Sequence, residues 1–293
     1  MITDTTQSDI YHVYTNGFRT ESMFLDENDF ISGMNLVAFC SLKTSVKIFC
    51  FCLMDNHVHF IVKGDELCCC DFIRRFRHQY QMIYARRYRK NLSEYIQVGI
   101  KAIDTASYLH TAIAYVLRNP IASGYPYLAE CYRWSSANLY MKAPEQMLLG
   151  LQYKEASCYR VHDLRAMLNT HQNIPGDWLI IDDRMVWPGS YVDYEGVNRI
   201  FGHPRKYMYY MSSTQESSVA DVMGVTDDVF IPEHDLRRMA LDLANEMFGS
   251  CAMSGLQVSD RLVLAKCLKR KSGASYKQIA RIVRLDHKYL KGI

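Results

Sequence analysis

Two histidines separated by one residue, His57 and His59, lie in an apolar stretch, Val46–Val62. On a β-strand, side chains two residues apart point to the same face, so both imidazoles face one way. Neutral imidazoles are common ligands of divalent metals, and a rigid strand would hold two of them side by side. The stretch therefore predicts a metal site. The structural alternative is a pair in which one histidine is satisfied in the core and the other is exposed.

A second pair of reactive side chains, Tyr115 and Asn119, lies on a predicted helix that follows. Asp104 is suited to cap its start, and Pro120 is predicted to end it, because a proline disfavours α geometry in the residue before it. Tyr115 and Asn119 are four residues apart and share one helix face. The asparagine oxygen could complete a metal site with the two histidines, whereas a tyrosine at the edge of a core needs no catalytic role.

The elements that must position these residues form a small mixed domain. Ile10–Phe18 alternates in polarity and is rich in β-branched and aromatic residues, which predicts a strand that ends at Asn16-Gly17. Asp29–Ser41 has helical spacing of apolar residues, and Val46–Met54 with the Asp55-Asn56 turn predicts a hairpin. The order strand, helix, hairpin predicts an α+β fold with an antiparallel sheet and helices on one face.

The charge of the chain is unevenly distributed. The net charge is +3, yet residues 71–90 carry +6 and residues 261–293 carry +9, so the remainder is acidic. A solvated helix face is the ordinary explanation of a basic run, but two such runs favour a polyanionic partner, namely nucleic acid. In the first run an amphipathic helix presents arginines whose forks suit phosphates of single-stranded or duplex DNA. The predicted contacts are Arg74, Arg75, Arg77, Arg86, Arg87 and Arg89.

Composition limits the class of protein. The 293 residues, 49% of them hydrophobic, can bury a full core, and no apolar run approaches the roughly 20 residues that span a bilayer. The first residues have neither a basic nor an apolar signal segment, and the ten scattered cysteines lack paired zinc-type spacing. We therefore expect a cytoplasmic protein with reduced thiols and no membrane segment. Monomer and homodimer are both left open.

Beyond Met141 the pattern changes twice. An Asp182-Asp183 hairpin and a helix over Val192–Phe201 are predicted in a segment without catalytic residues, and serine-rich Met211–Ala220 is predicted to be a linker. The predicted domains are therefore 1–142, a connector at 143–218 and a helical domain at 219–293. Helices over Glu233–Phe248 and Ser259–Lys271 precede a third one capped at Ser275 and a last one capped at Asp286.

This terminal pattern is that of a helix-turn-helix, and it resembles the duplex-binding domain of bacterial replication initiators. The alternative is a small bundle that only packs. The predicted duplex contacts are Lys277, Arg281, Arg284 and Lys288.

The first half as a whole resembles the single-tyrosine HUH transposases, in particular the REP-associated tyrosine transposases. The resemblance rests on three motifs in order: LMDNHVH at Leu53–His59, YVLRNP at Tyr115–Pro120 and YRWSS at Tyr132–Ser136. It implies a ferredoxin-like nuclease domain that cuts and joins single-stranded DNA beside hairpins, with Tyr115 as nucleophile. His57, His59 and Asn119 would then be the metal ligands. Asp55 stands where the family commonly has proline, and Asn91–Asp104 is short and lacks a Gly-Leu-Trp region.

The implied reaction is a metal-dependent transesterification through a 5′-phosphotyrosine. A phenol is a good leaving group, so strand transfer is reversible, and a divalent ion would polarise the phosphate. The mixed nitrogen and oxygen ligands suit Mg²⁺ or Mn²⁺, while imidazoles alone would prefer zinc. The alternative is a DNA-binding or regulatory protein descended from such an enzyme. A hydrolase of small phosphates would leave the basic runs unexplained.

Overall fold

The protein has an α+β structure, as predicted. The computed structural model describes residues 9–15, 22–92, 96, 98–123, 125, 128–212, 233–250, 253–272, 274, 276–285 and 290. By their contacts, residues 1–121 and 126–223 form one compact unit, and residues 122–125 and 224–293 form a second. Contact units are not a test of independently folding domains, so the predicted domain boundaries after residues 142 and 218 stay predictions. Within the described ranges, no helix is long and apolar enough to cross a membrane.

The first unit is built on a four-stranded antiparallel sheet. Its elements follow the order β1 (Ile10–Thr15), α1 (Glu27–Thr44), β2 (Lys47–Leu53), β3 (Val58–Lys63), α2 (Glu66–Tyr88) and β4 (Val98–Ala102). The strands lie in the order β2-β3-β1-β4, with every neighbouring pair antiparallel. This βαββαβ arrangement is the ferredoxin-like fold.

Local sequence explains most of these elements. The hairpin turns at Asp55-Asn56 as predicted, and α1 is longer than predicted because Asp26 caps it, its side chain accepting a hydrogen bond from the Asp29 N–H at 3.1 Å. The predicted end of β1 at Asn16-Gly17 lies outside the described residues. Strand β4 was not predicted: Val98, Ile100 and Ala102 do alternate with Gly99 and Lys101, but five residues with an internal glycine give only a weak strand signal.

Adjacent residues of β3 point to opposite faces of the sheet and contact different helices. The ring of Phe60 packs against Phe72 and Phe76 of α2 at 5.1 and 5.4 Å. The ring of His59, one residue earlier, faces Tyr115 at 5.5 Å. Helix α2 therefore covers one face of the sheet, and the helix that carries Tyr115 covers the other.

That helix, α3 (Ala106–Ala122), corrects two predictions. Its start is capped by Thr105 rather than Asp104, because the Thr105 hydroxyl accepts a hydrogen bond from the N–H of Tyr108 at 3.2 Å. The helix also continues through Pro120 and ends two residues later. A proline so close to the end removes one backbone bond and costs less there than in a helix interior.

The segment after α3 packs into the same core as the sheet. It contains α4 (Pro144–Met147), β5 (Tyr153–Glu155), α5 (Val161–Leu168), β6 (Leu179–Ile181), β7 (Met185–Val186), α6 (Tyr194–Phe201) and α7 (Pro204–Ser212). The predicted Asp182-Asp183 hairpin is confirmed, with both residues in the left-handed region. The side chain of Asn35 in α1 accepts from the Val186 N–H at 2.9 Å. This segment is thus joined to the ferredoxin-like part by hydrogen bonds and by a shared core.

In the part of the second unit that the structure describes, three α-helices are present: α8 (Glu233–Phe248), α9 (Val258–Ser272) and α10 (Tyr276–Val283). Their apolar sides form one core that includes Leu236, Leu264 and Ile279. The three helices appear where they were predicted. The caps expected at Ser275 and Asp286 lie outside the described residues, and the helix-turn-helix function stays a prediction.

Candidate active site

The structure brings together the four residues singled out for catalysis. His57 lies where the hairpin turn meets β3, and its Nε2 is 3.0 Å from Oδ1 of Asn119 on α3. The rings of His57 and His59 are 4.8 Å apart. The Tyr115 ring stands edge-on to His59, and its side chain is 7% exposed. Residues separated by some 60 positions in sequence therefore meet on one face of the sheet.

Both histidines are held by their Nδ1 atoms. Nδ1 of His57 is 2.6 Å from the side-chain oxygen of Asn56. Nδ1 of His59 is 3.0 Å from Nε2 of a third histidine, His12 on β1. The Nε2 atoms of both histidines therefore face into the site. His57 Nε2 contacts Asn119, and His59 Nε2 is buried with no hydrogen-bond partner.

The three imidazoles are neutral at pH 7. Burial lowers the pKa of His57 to about 4, against a smaller raising effect of the Asn119 hydrogen bond. Burial, with the charge of Lys101, lowers the pKa of His12 to about 3. Burial also brings the pKa of His59 well below its usual range, helped by its two histidine neighbours. Neutral imidazoles have the lone pairs that metal coordination requires.

The contacts of His57 fit a cation. A neutral imidazole carries one proton, yet both ring nitrogens of His57 face amide oxygens, those of Asn56 and Asn119. With the proton on Nδ1, the Nε2 lone pair points at the Asn119 oxygen, an arrangement relieved by a cation between them or by a turned amide. At 3.0 Å, a distance that an ordinary hydrogen bond would also give, the two atoms are close enough to be neighbouring ligands of one divalent ion.

The donor set is small. Among the residues that the structure describes, no group of three or more His, Cys, Asp or Glu side chains could hold a metal ion. A site here would use two imidazoles, His57 and His59, with the amide oxygen of Asn119 as the third protein ligand. Such a set leaves coordination positions for water and substrate oxygens, as magnesium sites commonly do.

Three further residues on this face were not predicted. His12 and Tyr14 alternate on β1, and their rings stack at 4.7 Å. Lys101 on β4 lies opposite His12 in the register. The signal in the sequence was a histidine inside an otherwise apolar strand, but only the pairing of β1 with β3 shows that it meets His59.

The predicted arginine contacts lie on α2, and in the case of Arg89 at its C-cap, across the sheet from this site. Arg74, Arg86 and Arg89 are exposed and Arg77 is half-buried. Arg75 forms an ion pair with Asp71 at 2.6 Å.

Arg87 is engaged in the fold. Its guanidinium pairs with Asp29 at 2.7 Å, and Asp29 is 1% exposed. A second ion pair joins Arg87 to Asp26, the cap of α1. Arg87 therefore ties α2 to the start of α1, which gives it a structural role whether or not it also contacts phosphate.

The predicted duplex contacts belong to the second unit. Arg281 on α10 and Arg284 just after it are exposed. Lys277 lies on α10, and Lys288 lies outside the described residues.

Comparison with known proteins adds little. No family model and no curated protein matches the chain. One solved structure, a REP-associated tyrosine transposase bound to a REP hairpin, is 16% identical with a TM-score of 0.35, and the match covers 45% of this chain and 78% of that one. A likeness at this level carries no argument about the function of the present chain.

Proposed function

We propose that the protein is a metal-dependent tyrosine nuclease and strand transferase that acts on single-stranded DNA beside hairpins. The observation that carries this proposal is the convergence of His57, His59, Tyr115 and Asn119 on one sheet face. The same residues form the motifs by which the first half resembles the REP-associated tyrosine transposases. Motif and geometry therefore point to one reaction.

The nucleophile in this proposal is the hydroxyl of Tyr115. Its oxygen forms a bond to the scissile phosphorus and loses its proton, while the bond from phosphorus to the 3′ oxygen breaks and that oxygen takes up a proton. The product is a 5′-phosphotyrosine and a free 3′-hydroxyl. Because a phenolate is a good leaving group, a 3′-hydroxyl can reverse the step and join strands.

A divalent ion held by His57, His59 and Asn119 would supply Lewis-acid polarisation of the phosphate. We favour Mg²⁺ or Mn²⁺ because an amide oxygen and open positions for water suit hard ions, while the two imidazoles also admit zinc. The chain's own contribution is orientation. His57 and His59 are fixed through Nδ1, and α3 holds Tyr115 and Asn119 one turn apart.

The DNA contacts follow from charge and position. Lys101 is on the same sheet face as the site, and its Nζ lies 5.8 Å from the Tyr108 ring. A cation there can neutralise a phosphate next to the scissile one. The arginines of α2 lie across the sheet, so we assign them to a more distant part of the hairpin. Duplex DNA is proposed as the partner of the second unit.

A covalent-adduct assay tests this function. The full chain is incubated with a library of single-stranded hairpins and Mg²⁺, and denaturing electrophoresis reveals protein that carries DNA. We expect an adduct with hairpin-flanked single strands and none after chelation of the metal. Tight hairpin binding without an adduct under any metal would favour the regulatory alternative.

A further inference from the structure

We propose that His12 is a positioning residue: it accepts a hydrogen bond from Nδ1–H of His59 and so keeps Nε2 of His59 as a lone pair for the metal. This inference rests on the proposed function and adds a residue that none of the three motifs contains. It concerns ligand orientation, not contact with DNA.

The geometry of this pair is closely constrained. His12 is fully buried, and its Nε2 lies 3.0 Å from His59 Nδ1. The two ring planes are within 17° of parallel and their centroids are 5.2 Å apart, so the rings lie edge to edge, as an N–H···N hydrogen bond in the ring plane requires. In the register of β1 and β3, His12 is opposite Ile61 and therefore diagonal to His59. Diagonal neighbours on a sheet are within reach of long side chains, so two rigid strands hold this contact.

Two tautomers are compatible with the contact. In one, His12 donates from Nε2, and His59 then carries its proton on Nε2, where the metal would bind. In the other, His59 donates from Nδ1 and offers the Nε2 lone pair. Neither His12 Nδ1 nor His59 Nε2 has a hydrogen-bond partner. The first tautomer therefore leaves the buried N–H of His59 Nε2 unpaired, and the second leaves that of His12 Nδ1 unpaired. Only the second tautomer allows His59 to be a ligand through Nε2.

The second histidine of the site follows the same rule. His57 Nδ1 lies 2.6 Å from the oxygen of Asn56, an atom that can only accept. Metal-bound histidines generally donate their other ring N–H to an outer acceptor, which fixes the tautomer and raises ligand basicity. Asn56 has this role for His57. The structure assigns the equivalent role for His59 to the imidazole of His12.

The test compares Mn²⁺ affinity among variants of the full chain, measured by electron paramagnetic resonance of free Mn²⁺. His12→Leu fills the buried position with an apolar side chain that cannot accept a hydrogen bond, whereas His12→Gln places an amide oxygen near the original Nε2. Loss of an outer acceptor typically weakens metal binding 10- to 100-fold, and we expect about that for His12→Leu. His12→Gln should stay within a few-fold of wild type. The matched control is His110→Leu, which replaces another buried histidine, one whose Nε2 contacts the Ile200 carbonyl.

A spectroscopic readout requires no substitution. In metal-free protein with ¹⁵N-labelled histidine, two-bond couplings report which ring nitrogen of His59 carries the proton before any metal binds. We expect the proton on Nδ1, hydrogen-bonded to His12. A proton on Nε2 would overturn the inference even if His12→Leu failed to fold.

The outcomes separate the two proposals. A folded His12→Leu protein that binds Mn²⁺ as tightly as wild type removes the role of His12 and leaves the proposed function standing. Normal metal binding with the expected loss in His12→Leu, but no DNA adduct, removes the nuclease function and leaves the positioning role. Wild-type protein that binds neither Mn²⁺ nor zinc overturns both.

Discussion

Replacement of Tyr115 by phenylalanine should separate the catalytic and structural contributions of this residue. The substitution removes one oxygen and keeps the ring, so the edge contacts with His59 at 5.5 Å and His12 at 6.2 Å remain. Tyr115 is 7% exposed, and the cost is about one hydrogen bond, on the order of 1 kcal/mol. For a unit of this size that lowers the melting temperature by about 2–4 °C. Folding and DNA binding should survive, while cleavage should be lost.

Tyr108 provides the matched control. It lies two turns earlier on α3 and is half-buried, with Lys101 Nζ 5.8 Å from its ring centroid. Tyr108→Phe keeps the ring and this cation–π contact, so it should form the covalent adduct normally.

The adduct itself identifies the nucleophile. Digestion of the adduct with protease, followed by mass spectrometry, should find the nucleotide on the peptide that contains Tyr115. A nucleotide on Tyr108, on Tyr14 or on α2 would refute the assignment of the active site. An adduct at wild-type yield in Tyr115→Phe would do the same.

Four other predictions follow from the contacts and charges. Alanine in place of His57 or His59 should abolish cleavage but leave single-strand affinity nearly unchanged in gel-shift titrations; cleavage in both variants would exclude the metal site. Deletion of Val219–Ile293, which includes the segment of charge +9, should leave hairpin cleavage intact and flatten the salt dependence of duplex binding. Equal duplex affinity at every salt concentration would instead indicate a packing role. Arg87→Ala should lower the free energy of unfolding by about 1–2 kcal/mol, since its charged hydrogen bonds to a buried carboxylate are lost, whereas exposed Arg86→Ala should change it little in urea titrations. The pKa of His57, about 4 when folded and near 6.5 when unfolded, means that the unfolded chain takes up a proton first. In metal-free protein, His57 should therefore not change the free energy of unfolding above pH 6.5 but should lower it as the pH drops toward 4. The imidazole NMR signals of His57 should not shift between pH 7 and 5.

The sequence by itself determined the local elements and the identity of the reactive groups. Alternation and turn residues predicted the hairpin around Asp55-Asn56, and helical spacing predicted α1 and α3, because these signals act over a few residues. Motif order singled out His57, His59, Tyr115 and Asn119. Both ends of α3 were predicted wrongly. The cap depends on which side-chain oxygen reaches a free N–H, and Thr105 accepts from the Tyr108 N–H where Asp104 was expected to cap the helix. The helix also continues two residues past Pro120.

The tertiary structure decided which residues share a face and which neighbours they have. Strand order β2-β3-β1-β4 places His12 beside His59, although 47 positions separate them in sequence. The alternation of His59 and Phe60 then puts the arginines of α2 on the far side of the sheet from Tyr115. Neither result is contained in any local pattern, because strand pairing depends on long-range packing and on which face each helix covers. For the same reason, an arginine such as Arg87 looks like its neighbours in sequence but is held by a buried carboxylate in the fold.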